Sequence, residues 1–218
     1  MKLNAFPTRG RPSKDIVQGL EEVVMLTQAA LSIVNTQRRV LDRDALQLGV
    51  GLRPSKRDAA YEVTVVDQFY QLGQRHFERR NISAMWERPF LTGQRGRPTA
   101  VDISLFYEGK GREVRVEFGR YTKEKLRSDA KKLNALTTQV EPGYGNVVNH
   151  LVLWEERATS LTRIALLAQL ERFRRQATEV SSPTMLVEVL MASSVDLFAE
   201  QHDQHRVIDV GLFKVTPR

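Results

Sequence analysis

Cysteine is absent from the 218 residues. Its absence excludes disulfides, thiolate-bound zinc and iron–sulfur clusters. Only four histidines remain for imidazole ligation: His76, His150, His202 and His205. His202 and His205 stand three apart, a spacing that shares a helix face, but no HExxH pattern accompanies them. No apolar run reaches the ~18 residues that a membrane-spanning helix requires, and no apolar signal core opens the chain. The expectation is a cytoplasmic protein with no membrane partner.

Acidic residues are outnumbered. Thirty-three Lys and Arg face 26 Asp and Glu, a formal charge of +7. Such an excess favours an anionic partner, and nucleic acid is the commonest one. Arginine dominates the basic clusters, and its planar fork suits phosphate oxygens. The tetrapeptide Arg-Gly-Arg-Pro occurs twice, at 9–12 and 95–98. It is similar to the core of an AT-hook, whose arginines enter a narrow minor groove. Both copies also sit where turns are expected.

The length suits one domain with an appendage. Residues 1–54 read as a flexible arm and a helical hairpin. Ser13 is a good N-cap for a helix over 14–34, and Ile16, Leu20, Val23, Val24, Ala30, Leu31 and Val34 give it a broad apolar stripe. A shorter helix follows towards Gly49 and Gly51. This hairpin is expected to cover the core or to join two copies of the chain into a homodimer.

Residues 55–218 read as a second, α/β unit. Ser55 or Asp58 is placed to cap a helix over 57–80, in which Val65, Phe69, Leu72 and His76 follow one row. Glu62 on that helix reads either as an acid favouring the helix dipole or as a site residue. A strand over 82–91 and a basic loop over 92–99 come next. Beyond the centre of the chain lie a buried strand over 147–156 and a helix capped by Thr159 or Ser160. Strands over 185–193 and 206–215 complete the order.

That centre is a hairpin followed by a helix. TAVDISLFY (99–107) alternates, with Val101, Ile103 and Leu105 on one face and Asp102, Ser104 and Phe106 on the other. The Gly-rich EGKG (108–111) is a turn signal. REVRVEFGRY (112–121) alternates again, with Val114, Val116 and Phe118 opposite Glu113, Arg115 and Glu117. Antiparallel pairing across the turn would bring Asp102 and Glu117 to one side of the sheet. Two converging carboxylates suit a hard cation such as magnesium. An amphipathic hairpin with a solvated face would carry the same pattern.

These residues resemble the PD-(D/E)XK, or restriction-endonuclease-like, nuclease superfamily. Its core of a helix, three meandering strands, a crossing helix and a further strand is similar to the order read over about 57–156. Pro98 precedes Asp102 at a loose spacing, Val116-Glu117-Phe118 matches the second acid in its apolar strand, and Asp129-Ala130-Lys131-Lys132-Leu133 is similar to a helical Asp-x-x-Lys-Leu motif. The resemblance implies a mixed central sheet flanked by helices and a magnesium ion, or manganese in its place. Asp102, Glu117, the Phe118 carbonyl and Glu62 would hold it. It also implies hydrolysis of phosphodiester bonds in double-stranded DNA, with Arg95, Arg97, Lys123, Lys125 and Lys131 on the flanking phosphates.

One departure stands out. The pattern calls for a lysine two residues after the second acid, and this chain has Gly119. Arg120 is the first substitute, if Gly119 forms a bulge that re-aims it; Lys132 is the second and Arg115 the third. Two other functions fit the same sequence. One is a nuclease-like fold that binds DNA without cutting it, and the other is a partner-binding assembly or immunity protein.

Overall fold

The computed structural model describes residues 6–7, 23–37, 54–90, 98–157, 162–197 and 206–218. Arg95, Arg97, most of both Arg-Gly-Arg-Pro copies, His202 and His205 lie outside them, as does most of the expected hairpin over 13–52. Among the described residues no helix is long and apolar enough to cross a membrane.

The described elements are β1 (Phe6–Pro7), α1 (23–37), α2 (Pro54–Glu78), β2 (Ile82–Phe90), β3 (Thr99–Tyr107), β4 (Arg112–Arg120), α3 (Lys123–Leu136), β5 (Asn146–Arg157), α4 (Arg163–Val180), β6 (Met185–Leu197) and β7 (Arg206–Pro217). The strands form one mixed sheet in the order β1-β6-β7-β5-β4-β3-β2. β2, β3 and β4 are an antiparallel meander, and β5 lies parallel to β4. Parallel neighbours need a crossover, which α3 supplies. The architecture is α/β, with an apolar core on each face of the sheet.

α1 and α2 supply the helical side chains of one core. Val23, Val24, Ala30, Leu31 and Val34 of α1 join Val65, Val66, Phe69 and Phe77 of α2 over Ile103, Leu105, Val114, Val116 and Phe118. The described part of the N-terminal apolar stripe is therefore spent on this sheet. Gln28 adds a polar tie, its Nε2 donating to Ser193 Oγ on β6 at 2.6 Å. Leu72, expected in the buried row of α2, is 37% exposed.

The other core belongs to α3 and α4. Leu126, Ala130, Leu133 and Leu136 meet Leu170, Phe173 and Ala177 over Leu151, Leu153, Phe213 and Val215. Thr122 caps α3 by accepting the Lys125 N–H at 3.0 Å. α4 starts later than expected, with Thr162 accepting the Ala165 N–H at 3.1 Å.

The alternation of β2 and β3 breaks at one place. Ile103 and Leu105 face α2, as expected, but Val101 joins the α3 core with Phe90. The break coincides with Glu87 of β2, which has a left-handed φ of 48°. Pairing runs from Ile82↔Tyr107 to Trp86↔Ile103, omits Glu87 and Asp102, and resumes at Arg88↔Val101. One residue of altered twist carries the side chains beyond it to the opposite face. Trp86 thus lies against Tyr70 of α2, with ring centroids 6.1 Å apart, while Arg88 reaches Glu113 on the α3 side.

Candidate functional site

Asp102 sits at that break. β3 and β4 pair from Tyr107↔Arg112 to Ile103↔Val116 and no further. Where the next ladder bond would fall, Asp102 Oδ2 accepts the Phe118 N–H at 2.8 Å. In an extended strand the N–H and C=O of one residue point to the same edge. The Phe118 carbonyl therefore faces the opening between the strands, beside Asp102. Glu117, one position earlier on β4, has its side chain on the α3 face.

Burial is the largest influence on both acids. Glu117 has a side-chain exposure of 2%. Desolvation first and the Asp102 charge second push its carboxyl up to about 8, against the pull of Lys132. Lys132 Nζ lies 2.7 Å from Glu117 Oε2 and donates to the Ala100 carbonyl at 3.1 Å. That ion pair offsets only part of the desolvation. The other oxygen, Oε1, is buried without a hydrogen-bond partner. Desolvation also raises Asp102, against the Phe118 N–H and the charges of Lys132 and Lys125. Both carboxyls are raised by burial, and one oxygen of the pair has no hydrogen-bond donor.

A second ion cluster adjoins the pair. Lys125 Nζ lies 2.7 Å from Glu62 Oε1 of α2 and 3.2 Å from Asp129 Oδ2 of α3. Glu62 is not in the first turn of α2, which begins at Pro54 and has no acid there. The dipole reading therefore does not account for it. Lys125, expected on flanking phosphates, is half-buried between these two acids, and against the lowering effect of burial Asp129 and Glu62 hold its ammonium well above the usual range. Among the described residues no three carboxylates or imidazoles are grouped as a metal cluster.

The expected substitutes for the lysine separate clearly. β4 pairs with β5 without a register shift through Gly119↔Leu153 and Arg120↔Trp154, so Gly119 forms no bulge. Arg120 is exposed, and alternation places it on the opposite face from Glu117. Arg115 does share the Glu117 face but is fully buried. Its guanidinium donates to both Glu113 oxygens, at 2.8 and 2.9 Å, to the Leu136 carbonyl at the end of α3 and to the Gln139 carbonyl just beyond it. Arg115 is a structural strut. Only Lys132 reaches the acids as expected.

The outer side of α3 is basic. Lys123, Arg127 and Lys131 recur every fourth residue, a single helix face. Arg127 and Lys131 are exposed. Lys123 bonds Glu179 of α4 at 2.6 Å and lowers that carboxyl, with Arg175 and Arg127 adding to its effect. Sequence reasoning singled out Lys123 and Lys131 on this face but not Arg127. A cleft of about 350 Å³ between α2 and β2, lined by Tyr70, Phe77, Ser83 and Glu108, lies at the far end of the strands and has no part in this site. Comparison with family models, with curated proteins and with solved structures finds no match.

Proposed function

We propose that the chain is a magnesium-dependent nuclease that hydrolyses phosphodiester bonds in double-stranded DNA, on a restriction-endonuclease-like fold. The observation that carries the reading is the unpartnered, buried Oε1 of Glu117 beside Asp102, where β3 and β4 part. The order helix, three-strand meander, crossing helix and parallel strand supports the fold.

Asp102, Glu117 and the Phe118 carbonyl form an all-oxygen donor set that fits magnesium, or manganese. Glu62 has one oxygen, Oε1, held by Lys125 at 2.7 Å. A bound ion would supply Lewis-acid polarisation of the phosphoryl oxygen and a water acidic enough to react at neutral pH. The chain's own residues do the rest. Phe118 N–H fixes the Asp102 carboxylate, and Lys132 fixes Glu117 while placing a positive charge beside it. Lys123, Arg127 and Lys131 hold backbone phosphates along α3, which makes binding strongly salt-dependent. These contacts position the duplex without reading its sequence.

A cleavage assay on linear, supercoiled and single-stranded DNA, with magnesium, manganese or chelator, tests the reading. Metal-dependent cutting that Asp102→Asn and Glu117→Gln both abolish is the expected result. The glycine at 119 favours a second reading, a DNA-binding protein that no longer cuts. Metal-independent binding without cleavage would establish that one, and neither binding nor cleavage would leave the partner-binding role.

A further inference from the structure

Gly119 is not glycine for the sake of its backbone. It lies within a regular ladder on β4, and its φ is outside the left-handed range. A strand-interior glycine with ordinary dihedrals marks a place where something else comes close. Here the neighbour is Lys125. A Cβ on Gly119 would lie 2.2 Å from Lys125 Cε, 3.0 Å from its Nζ and 3.1 Å from Glu62 Oε1. A side chain at 119 would require the end of Lys125 to move out of the place it now holds beside Glu62.

We propose that Lys125 is the ammonium that meets the reacting phosphate, and that it works from the side-chain space Gly119 leaves open. The inference rests on the nuclease reading and removes the chief objection to it, the missing strand lysine. Alternation puts Gly119 on the same face as Glu117, so the space that Lys125 fills borders the acids. The ammonium is fixed from two sides, by Glu62 of α2 and Asp129 of α3. An ammonium has three N–H donors, and these two contacts leave the third for a phosphate oxygen. The side chain is 29% exposed, so a substrate can reach it. Such a charge is set before the substrate arrives and needs no reorganisation during reaction.

In the hydrolysis, a bond forms between the water oxygen and phosphorus, and the bond from phosphorus to the leaving ester oxygen breaks. The attacking water loses its proton to solvent, and the leaving alkoxide takes one from solvent. Lys125 stays protonated throughout and donates to the non-bridging oxygen on which charge accumulates. Glu62 and Asp129 are positioning residues that act through Lys125.

The test uses full-length protein, cleavage kinetics with magnesium, manganese affinity by calorimetry, and DNA affinity in calcium. Lys125→Met is expected to lower kcat about 10²- to 10³-fold, with KM and manganese affinity within about threefold of wild type. Gly119→Lys alone should also lose activity, because two lysine stems contend for one space. The double variant Gly119→Lys/Lys125→Ala should cut at least about tenfold faster than Lys125→Ala, its charge restored from the strand. That rescue separates an electrostatic role from a merely structural one, even if Lys125→Met loses stability. Wild-type protein that cuts no DNA with either metal removes the nuclease reading and this inference together. Cleavage that Asp102→Asn abolishes but Lys125→Met leaves intact removes this inference alone. A double variant no better than Lys125→Ala also overturns it.

Discussion

The Asp102 carboxylate accepts the Phe118 N–H across the gap between β3 and β4, in place of a strand-to-strand bond. This acid is a backbone acceptor in the fold and, in the function proposed, a cation ligand as well, and the two roles can be separated. Asp102→Ala leaves a part-buried N–H without its partner, which costs about 2 kcal/mol, or about 4–8 °C in Tm for a chain of this length. Asp102→Asn keeps an oxygen for that N–H and should melt near wild type. Both should fail to cut. Equal melting of the two variants in a thermal scan would show that the Phe118 bond contributes nothing.

Glu117 ties stability to pH. Its carboxyl is pushed up to about 8 in the folded chain, from an ordinary 4.5. A group raised on folding contributes in full below its ordinary value, and the contribution is lost as pH rises through the folded value. Metal-free protein should therefore lose stability from about pH 4.5 to about pH 8 relative to Glu117→Gln, on the order of a few kcal/mol in total. Magnesium should restore it most at the alkaline end, where the ionised carboxylate is the ligand. Denaturation curves of the two proteins that stay parallel across this range would overturn the assignment.

The arginine network on the same face carries stability, not chemistry. Glu113 is fully buried between Arg115 and Arg88, and Arg115 also caps the end of α3. Glu113→Gln removes the charge that compensates a buried guanidinium, so a loss of about 3–5 kcal/mol is expected in chemical denaturation. Arg115→Met should cost a similar amount, yet leave cleavage per folded molecule unchanged. A stable Arg115→Met protein that does not cut would return Arg115 to the active site.

Much of the sheet was legible because strict alternation and turn chemistry agree locally. The expected strand over 82–91 is Ile82–Phe90, and that over 112–121 is Arg112–Arg120. Alternation also placed Asp102 and Glu117 across one turn. It could not separate Arg115 from Glu117, since both occupy the same face. The charged series Glu113, Arg115, Glu117 inside a strand with a buried opposite face was a signal that some of these charges pair with one another. Lys125 was legible as a basic residue for phosphates, but its place beside Gly119 was not. Its contact with the empty side of Gly119 depends on how α3 docks, and nothing within six residues of sequence encodes that. For the face switch at Glu87 the one local signal was Pro89, which marks an edge or irregular strand but not the residue at which the faces exchange.

That face switch is the last feature open to test. Glu87 holds a φ of 48°, which costs a non-glycine residue on the order of 1–2 kcal/mol. The twist takes Arg88 to Glu113 and Val101 to the α3 core, and Asp102 lies between the two strand faces as a result. Glu87→Gly should relieve the strain and melt at or slightly above wild type, with manganese affinity and cleavage unchanged. Glu87→Val adds a β-branched side chain that tolerates a left-handed φ poorly. It should favour a regular strand, pull Arg88 off Glu113 and lower stability by about 1–3 kcal/mol. Because Asp102 loses its place in the same step, manganese affinity should fall along with stability. A valine variant with wild-type Tm and wild-type manganese affinity would mean that the twist at Glu87 does not set the position of Asp102.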